Sequence, residues 1–140
     1  MGMDYERASS VLVKNGIKPS HQRVMIYFYL ESNFIHPTAL QIYEALKNTI
    51  PTLSKSTVYS TLKAFLHANI VREITIEENE IRYEFNVHDH GHFRCNSCGR
   101  IFDFKINIDC ISADELSGFL IDDKNVFYKG ICKDCLVKQV

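Results

Sequence analysis

Two C-x-x-C pairs, Cys95 with Cys98 and Cys132 with Cys135, constrain this chain more than any other feature. Together they supply four thiolates, the donor set of a tetrahedral all-cysteine site for Zn²⁺. Gly99 and Gly130 flank the pairs, where a tight knuckle needs backbone freedom. The interval between the pairs is longer than in compact zinc ribbons, so a small folded unit is expected between them. The other reading, two pairs of buried or disulfide-bonded cysteines, needs an oxidising compartment. The N-terminal Met-Gly-Met-Asp-Tyr-Glu lacks the basic-then-apolar pattern of a secretory signal, which favours structural zinc in a reducing cytosol. Cys110, the fifth cysteine, reads as a small buried hydrophobe.

At 140 residues and 46% hydrophobic content the chain can build one ordinary domain or two small ones. A half of this size has little surplus stability, so a metal staple in the smaller half makes physical sense. No apolar run is long enough for a membrane-spanning helix. The net charge of −1 conceals an uneven distribution. Residues 1–72 hold eight Lys or Arg against four Asp or Glu, whereas residues 73–87 hold five acids against Arg82 alone. A positive excess confined to the first segment is compatible with phosphate contacts.

Along the chain, Tyr5, Ala8 and Leu12 recur at helical spacing and predict a helix over 4–15, stopped by Gly16. Ser20 caps a second helix with an apolar face of Met25, Phe28 and Tyr29. Thr38, after the His36-Pro37 turn, caps a third with a stripe of Ala39, Ile42, Tyr43 and Leu46. Ser54 caps a fourth, over 54–67, whose inward stripe is Val58, Leu62, Phe65 and Leu66. Lys55, Tyr59 and Lys63 stand on another face at i, i+4 and i+8, with Ser56 and Ser60 beside them. Cations, hydroxyls and a phenol so placed can meet phosphates and base edges in a major groove. Asn69 ends this helix, and two strands follow across a turn at 77–80, the second with Ile81, Tyr83, Phe85 and Val87 alternating. Helices followed by a hairpin in this order predict a winged helix-turn-helix, with 54–67 as its DNA-reading helix. Beyond it the chain reads β-rich: a strand over 101–106, a short helix opened by a Ser112-to-Glu115 capping box, and a strand at 126–128. The predicted class is therefore α+β: a DNA-binding domain over 1–87, a hinge at 88–91 and a small zinc-stapled α/β domain over 92–140.

Zinc at the cysteines leaves His36, His88, His90 and His92 unexplained. His90 and His92, two apart in extended chain, project to one side. Glu84 and Asp103 each point away from the apolar face of their strand. Imidazoles with carboxylates suit Fe²⁺, Mn²⁺ or Zn²⁺. Spacing alone does not bring His36 to this group, and unrelated surface residues would give the same pattern.

Taken together, these motifs resemble the ferric uptake regulator (Fur) family of bacterial metal-dependent repressors. The resemblance spans nearly the whole chain. It is carried by His36-Pro37-Thr38 with Ile42-Tyr43, by Ser54 to Leu62, and by Arg82-Tyr83-Glu84. It continues through His90-x-His92-x-x-Cys95-x-x-Cys98-Gly99, Ile101-x-Asp103-Phe104 and Gly130-x-Cys132-x-x-Cys135. The resemblance implies a winged-helix domain, a dimerisation domain with zinc on four cysteines, and a regulatory metal between them held by His36, Glu84, His90, His92 and Asp103. It also implies a cytoplasmic homodimer on double-stranded operator DNA, with no membrane partner and no turnover chemistry.

Within that family, Asp103 stands where iron-uptake regulators usually have Glu, as in the peroxide-sensing branch (PerR). An additional site of the iron-uptake regulators takes a His and an Asp where this chain has Asp89 and Gly91, and a further His where it has Lys124. Glu84 points the other way, since peroxide sensors usually have Asp there, and Ser60 stands where relatives often carry Arg or Asn. The branch resemblance implies Fe²⁺ as the peroxide-reactive ion, Mn²⁺ as an alternative, and His36 or His90 as the oxidised residue. An iron-uptake regulator, or a manganese or zinc uptake regulator, is the alternative within the family. Outside it stand a zinc hydrolase, which needs an open coordination position beside a general base, and a metal-buffering protein without DNA function.

Overall fold

A computed structural model describes residues 2–32, 36–76, 79–85, 90–107, 113–122 and 124–138. The chain divides into two compact units, Met1–Asn86 and Val87–Val140.

In the first unit four helices precede a hairpin: α1 (Gly2–Lys14), α2 (His21–Ser32), α3 (Ala39–Leu46), α4 (Lys55–His67), β1 (Val71–Ile74) and β2 (Arg82–Phe85). Local signals set the boundaries. Gly16 adopts φ 75° just past α1, where an L side chain would be strained. The Ser20 hydroxyl accepts from the Arg23 amide to open α2. Thr38 and Gln41 close a reciprocal capping box on α3, and Ser54 accepts from the Thr57 amide on α4. Asn69 leaves α4 through the left-handed region at φ 59°. Inside, Leu12, Ile26, Ile42, Val58, Leu62, Phe65 and Val71 are almost fully buried in one core. Arg7 reaches from α1 to the Glu31 carboxylate on α2 through both guanidinium nitrogens.

Three stripes differ from expectation. On α2 the buried residues are Val24, Ile26, Tyr27 and Leu30, while Met25, Phe28 and Tyr29 are only partly covered. This helix is apolar nearly all round, so periodicity does not single out its inner face. On α4, Thr61 is buried where Leu66 was expected, and Leu66 packs at the margin. In the hairpin Tyr83 is buried, but Ile81 lies before β2 and is 43% exposed. Val87 lies outside the described residues.

The second unit is a three-stranded sheet in the order β4-β3-β5, from β3 (His90–Cys95), β4 (Ile101–Lys105) and β5 (Phe127–Gly130), followed by α5 (Lys133–Lys138). β3 and β4 form an antiparallel pair; β3 and β5 run parallel, which demands a crossover. The described part of that crossover holds one 3-10 turn, Asp114–Leu116, whose N-cap Ala113 makes no side-chain cap. Ser112, the expected cap, and Cys110 lie outside the described residues. The buried cluster of this unit is Cys95, Cys132 and Cys135, with Phe93, Phe102 and Ile131 against it. Among the described residues the apolar core is small, which leaves a structural role for a metal.

Candidate metal centres and nucleic-acid interface

The end of β3 and the start of α5 bring the two cysteine pairs together. One sulfur from each of Cys95, Cys98, Cys132 and Cys135 lies within 4.8 Å of the other three. Cys98 Sγ and Cys132 Sγ are 3.9 Å apart, close to the edge of about 3.8 Å expected for a tetrahedron with Zn–S bonds of ~2.3 Å. Amides are aimed at the sulfurs as well. The Ser97, Cys98 and Cys132 N–H groups all donate to Cys95 Sγ at 3.4 Å. The Cys98 amide above all, then that of Cys132, pulls the Cys95 thiol down to about 5. The backbone amide and side chain of Arg100 lower Cys98. Cys135 moves up to about 11: a hydrogen bond with Ser97 favours its thiolate, but Cys132, burial and the other two sulfurs together outweigh it. Four sulfurs that share protons so unevenly are a set that a divalent cation would deprotonate completely. The donors fit structural Zn²⁺.

Arg100 links the knuckles from outside. Its Nη2 is 3.9 Å from Cys132 Sγ and 3.0 Å from Asp134 Oδ2, and its guanidinium lies 4.9 Å from the Phe102 ring centre. The sequence reading missed this residue, although its place right after Cys98-Gly99 marks it as a neighbour of the sulfurs.

A second, harder donor type occurs in both units. In the first, His36 adopts φ 55°, a sparsely populated conformation held by its surroundings. Arg82 Nη1 donates to the His36 carbonyl at 3.1 Å and the Tyr83 amide to the Pro37 carbonyl at 2.9 Å, while Thr38 bridges to Arg82. These bonds lay residues 36–38 along β2 and set His36 against Glu84, Nε2 to Oε2 3.2 Å. The two side chains are only 5% and 10% exposed. Across the hairpin, Arg72 pairs with Glu84 in register, its Nε 3.9 Å from Oε1.

In the second unit His90 and His92 project from the same face of β3, ring centres 4.5 Å apart. Asp103 sits opposite His92 on β4. Its Oδ1 is 3.8 Å from His90 Nε2 and 3.6 Å from His92 Nε2. Neither set contains a thiolate, so each favours borderline or hard divalent ions. His88 lies outside the described residues.

On α4, Lys55, Ser56, Tyr59, Ser60 and Lys63 are all exposed, Tyr59 by 55%. Lys55 Nζ lies 5.7 Å over the Tyr43 ring, and the Ser60 hydroxyl donates back to the Thr57 carbonyl. A polar groove beside them is lined by Lys18, Gln22, Arg23, Thr57 and Ser60. Lys18 and Arg23 were not among the expected residues; the local excess of positive charge was the signal that could have found them.

A winged helix with such an outer face, joined to a unit stapled by four cysteines and carrying imidazole–carboxylate sets, defines a metal-dependent, DNA-binding regulator of transcription. The sequence pattern of the ferric uptake regulator family matches residues 14–128. The chain belongs to this family. It is 36% identical over 138 residues to the peroxide-responsive repressor PerR of Staphylococcus epidermidis, covering 95% of this chain and 92% of that protein. It matches the Helicobacter pylori ferric uptake regulator structure with a TM-score of 0.76, covering 96% of this chain and 93% of that one at 23% identity. PerR of Streptococcus pyogenes aligns with a TM-score of 0.54 at 32% identity, over 94% and 92% of the two chains. Among the described residues no helix is long and apolar enough to cross a membrane.

Proposed function

We propose that the chain is a metal-dependent repressor that binds operator DNA as a homodimer and senses peroxide through Fe²⁺, with Mn²⁺ as the alternative ion. The observation that carries the metal-dependent part of this reading is the buried His36–Glu84 pair, an imidazole and a carboxylate 3.2 Å apart on the winged-helix unit. The peroxide part is supported by Asp103 and by the likeness to PerR of Staphylococcus epidermidis. His90, His92 and Asp103 form a set of matching chemistry on the other unit. We assign all five side chains to one regulatory ion. An ion that takes ligands from both units binds one arrangement of them best, and shifts the population toward it. In a dimer, the DNA-competent arrangement spaces two α4 helices about one helical turn apart, ~34 Å.

Residues 1–87 serve as the DNA-binding domain, 88–91 as the hinge and 92–140 as the dimerisation domain. Lys55 and Lys63 contact phosphate, and Tyr59, Ser56 and Ser60 meet base edges. Phe119 and Leu120, 66% and 91% exposed in the single chain, supply apolar surface for the partner copy. The protein works in the cytoplasm, where operator DNA and reduced metal are both present.

Fe²⁺ held by these residues would supply one-electron chemistry toward peroxide. His36 and His90 are the targets: a ring C–H gains one peroxide oxygen, and the other leaves as water. An oxidised ring would be a poorer ligand, which would favour loss of the ion and end repression. The chain reacts once and is a sensor, not a turnover enzyme.

The test compares Fe²⁺ and Mn²⁺ forms after low peroxide. The iron form is expected to lose operator binding and to gain one oxygen on the peptide holding His36 or His90. The manganese form is expected to keep operator binding unmodified. No added oxygen on either histidine of the iron form would leave a repressor of the iron-uptake type.

A further inference from the structure

Glu84 divides its two carboxylate oxygens between different neighbours. Oε2 faces His36 Nε2 at 3.2 Å, and Oε1 faces Arg72 Nε at 3.9 Å. The second contact is built into the hairpin. Arg72 lies directly across from Glu84, between the pairs Val71↔Phe85 and Glu73↔Tyr83, so the two side chains share one face of the ribbon. Both are largely withdrawn from water, at 20% and 10% exposure, so salt screens the pair weakly.

A free glutamate can grip a divalent cation with one oxygen or with both. At 3.9 Å the contact is Coulombic and not a hydrogen bond. A cation so placed favours the first mode, because the second would turn that oxygen away from the guanidinium. The same charge repels the incoming metal directly. Arg72 also cannot act as a ligand itself, having no lone pair to give.

We infer that Arg72 is a positioning residue of the regulatory centre: its charge beside Oε1 would leave Oε2 as the oxygen offered to the metal, and so would weaken metal binding while favouring reaction of the iron form with peroxide. This rests on the assignment of Glu84 to the regulatory ion. It makes the β1–β2 hairpin, and not only the ligands, part of what sets the sensing threshold.

The experiment uses the full-length zinc-loaded protein as wild type, Arg72→Gln, Arg72→Lys and Glu84→Gln. Mn²⁺ affinity is measured by titration. Oxygen incorporation in the Fe²⁺ forms is followed by mass spectrometry, with zinc content and thermal melting as controls of folding. Arg72→Gln is expected to bind Mn²⁺ about tenfold more tightly and to incorporate oxygen about tenfold more slowly. Arg72→Lys, which restores the charge, is expected to return both toward wild type. The inference is overturned if Arg72→Gln leaves either quantity unchanged, or if affinity and oxidation fall together as simple damage would make them. Wild-type Mn²⁺ affinity in Glu84→Gln would instead show that the ligand assignment itself is wrong, and the inference would fall with it.

Discussion

A Cβ added at Gly91 would come within 2.2 Å of the Phe104 ring, which is itself stacked on Tyr128 with ring centres 5.1 Å apart. The position lies between His90 and His92 on β3, where the resemblance places an aspartate ligand of a further site in iron-uptake regulators. Here the Phe104 ring occupies the space that ligand would need. Gly91→Asp should therefore cost about 1–3 kcal/mol through overpacking, read as a lowered denaturation midpoint, without raising the metal content per chain. A stable variant binding one more ion would show that packing does not close the site. Single residues also mark the limit of sequence reading. Asp103 and the two histidines of β3 were legible from alternation, because a strand repeats every two residues. His36 was not: it reaches Glu84 through left-handed backbone and long-range bonds from Arg82 and Tyr83, none of which leaves a periodic trace. Arg72 was hidden for a related reason, since facing Glu84 depends on hairpin register, and no short turn signal fixed it.

At the scale of elements, α4 was the most legible helix. Its N-cap Ser54 and three of its four expected stripe residues, Val58, Leu62 and Phe65, fall where local chemistry puts them. Its function divides by side chain. Lys63→Ala removes the cation proposed to meet phosphate and should weaken binding to operator and random DNA alike, lowering the salt slope by about one. Tyr59→Ala removes an exposed phenol from the face proposed to read bases and should narrow the affinity gap between operator and random DNA. Unchanged operator affinity in both variants would show that another element enters the groove. α2 was legible as a helix but not as a face, because apolar residues surround it. The 3-10 turn at Asp114–Leu116 replaces part of an expected short helix, where Ala113 offers no side chain to hold an N-terminal amide.

For the whole molecule, the second unit must be kept folded although its buried cluster, among the described residues, consists chiefly of three cysteines and the rings beside them. Apolar burial on that scale does not offset the chain entropy of a sheet with a parallel crossover. Zinc does, because in such units metal binding is folding free energy, of order 10 kcal/mol. Cys98→Ser removes one of the four sulfurs and should release zinc and unfold the second unit, with dimer and operator binding lost as a consequence. Leu120→Glu separates these effects, since that side chain is 91% exposed in the single chain and touches no sulfur. It should keep zinc and a normal melting transition of the winged helix, yet sediment as a monomer and bind operator far more weakly. Zinc assay, sedimentation and operator titration on the two variants therefore test two claims independently. A Cys98→Ser protein that remained a folded dimer with normal operator affinity would refute the staple. A Leu120→Glu protein that remained dimeric would place the partner copy on another surface.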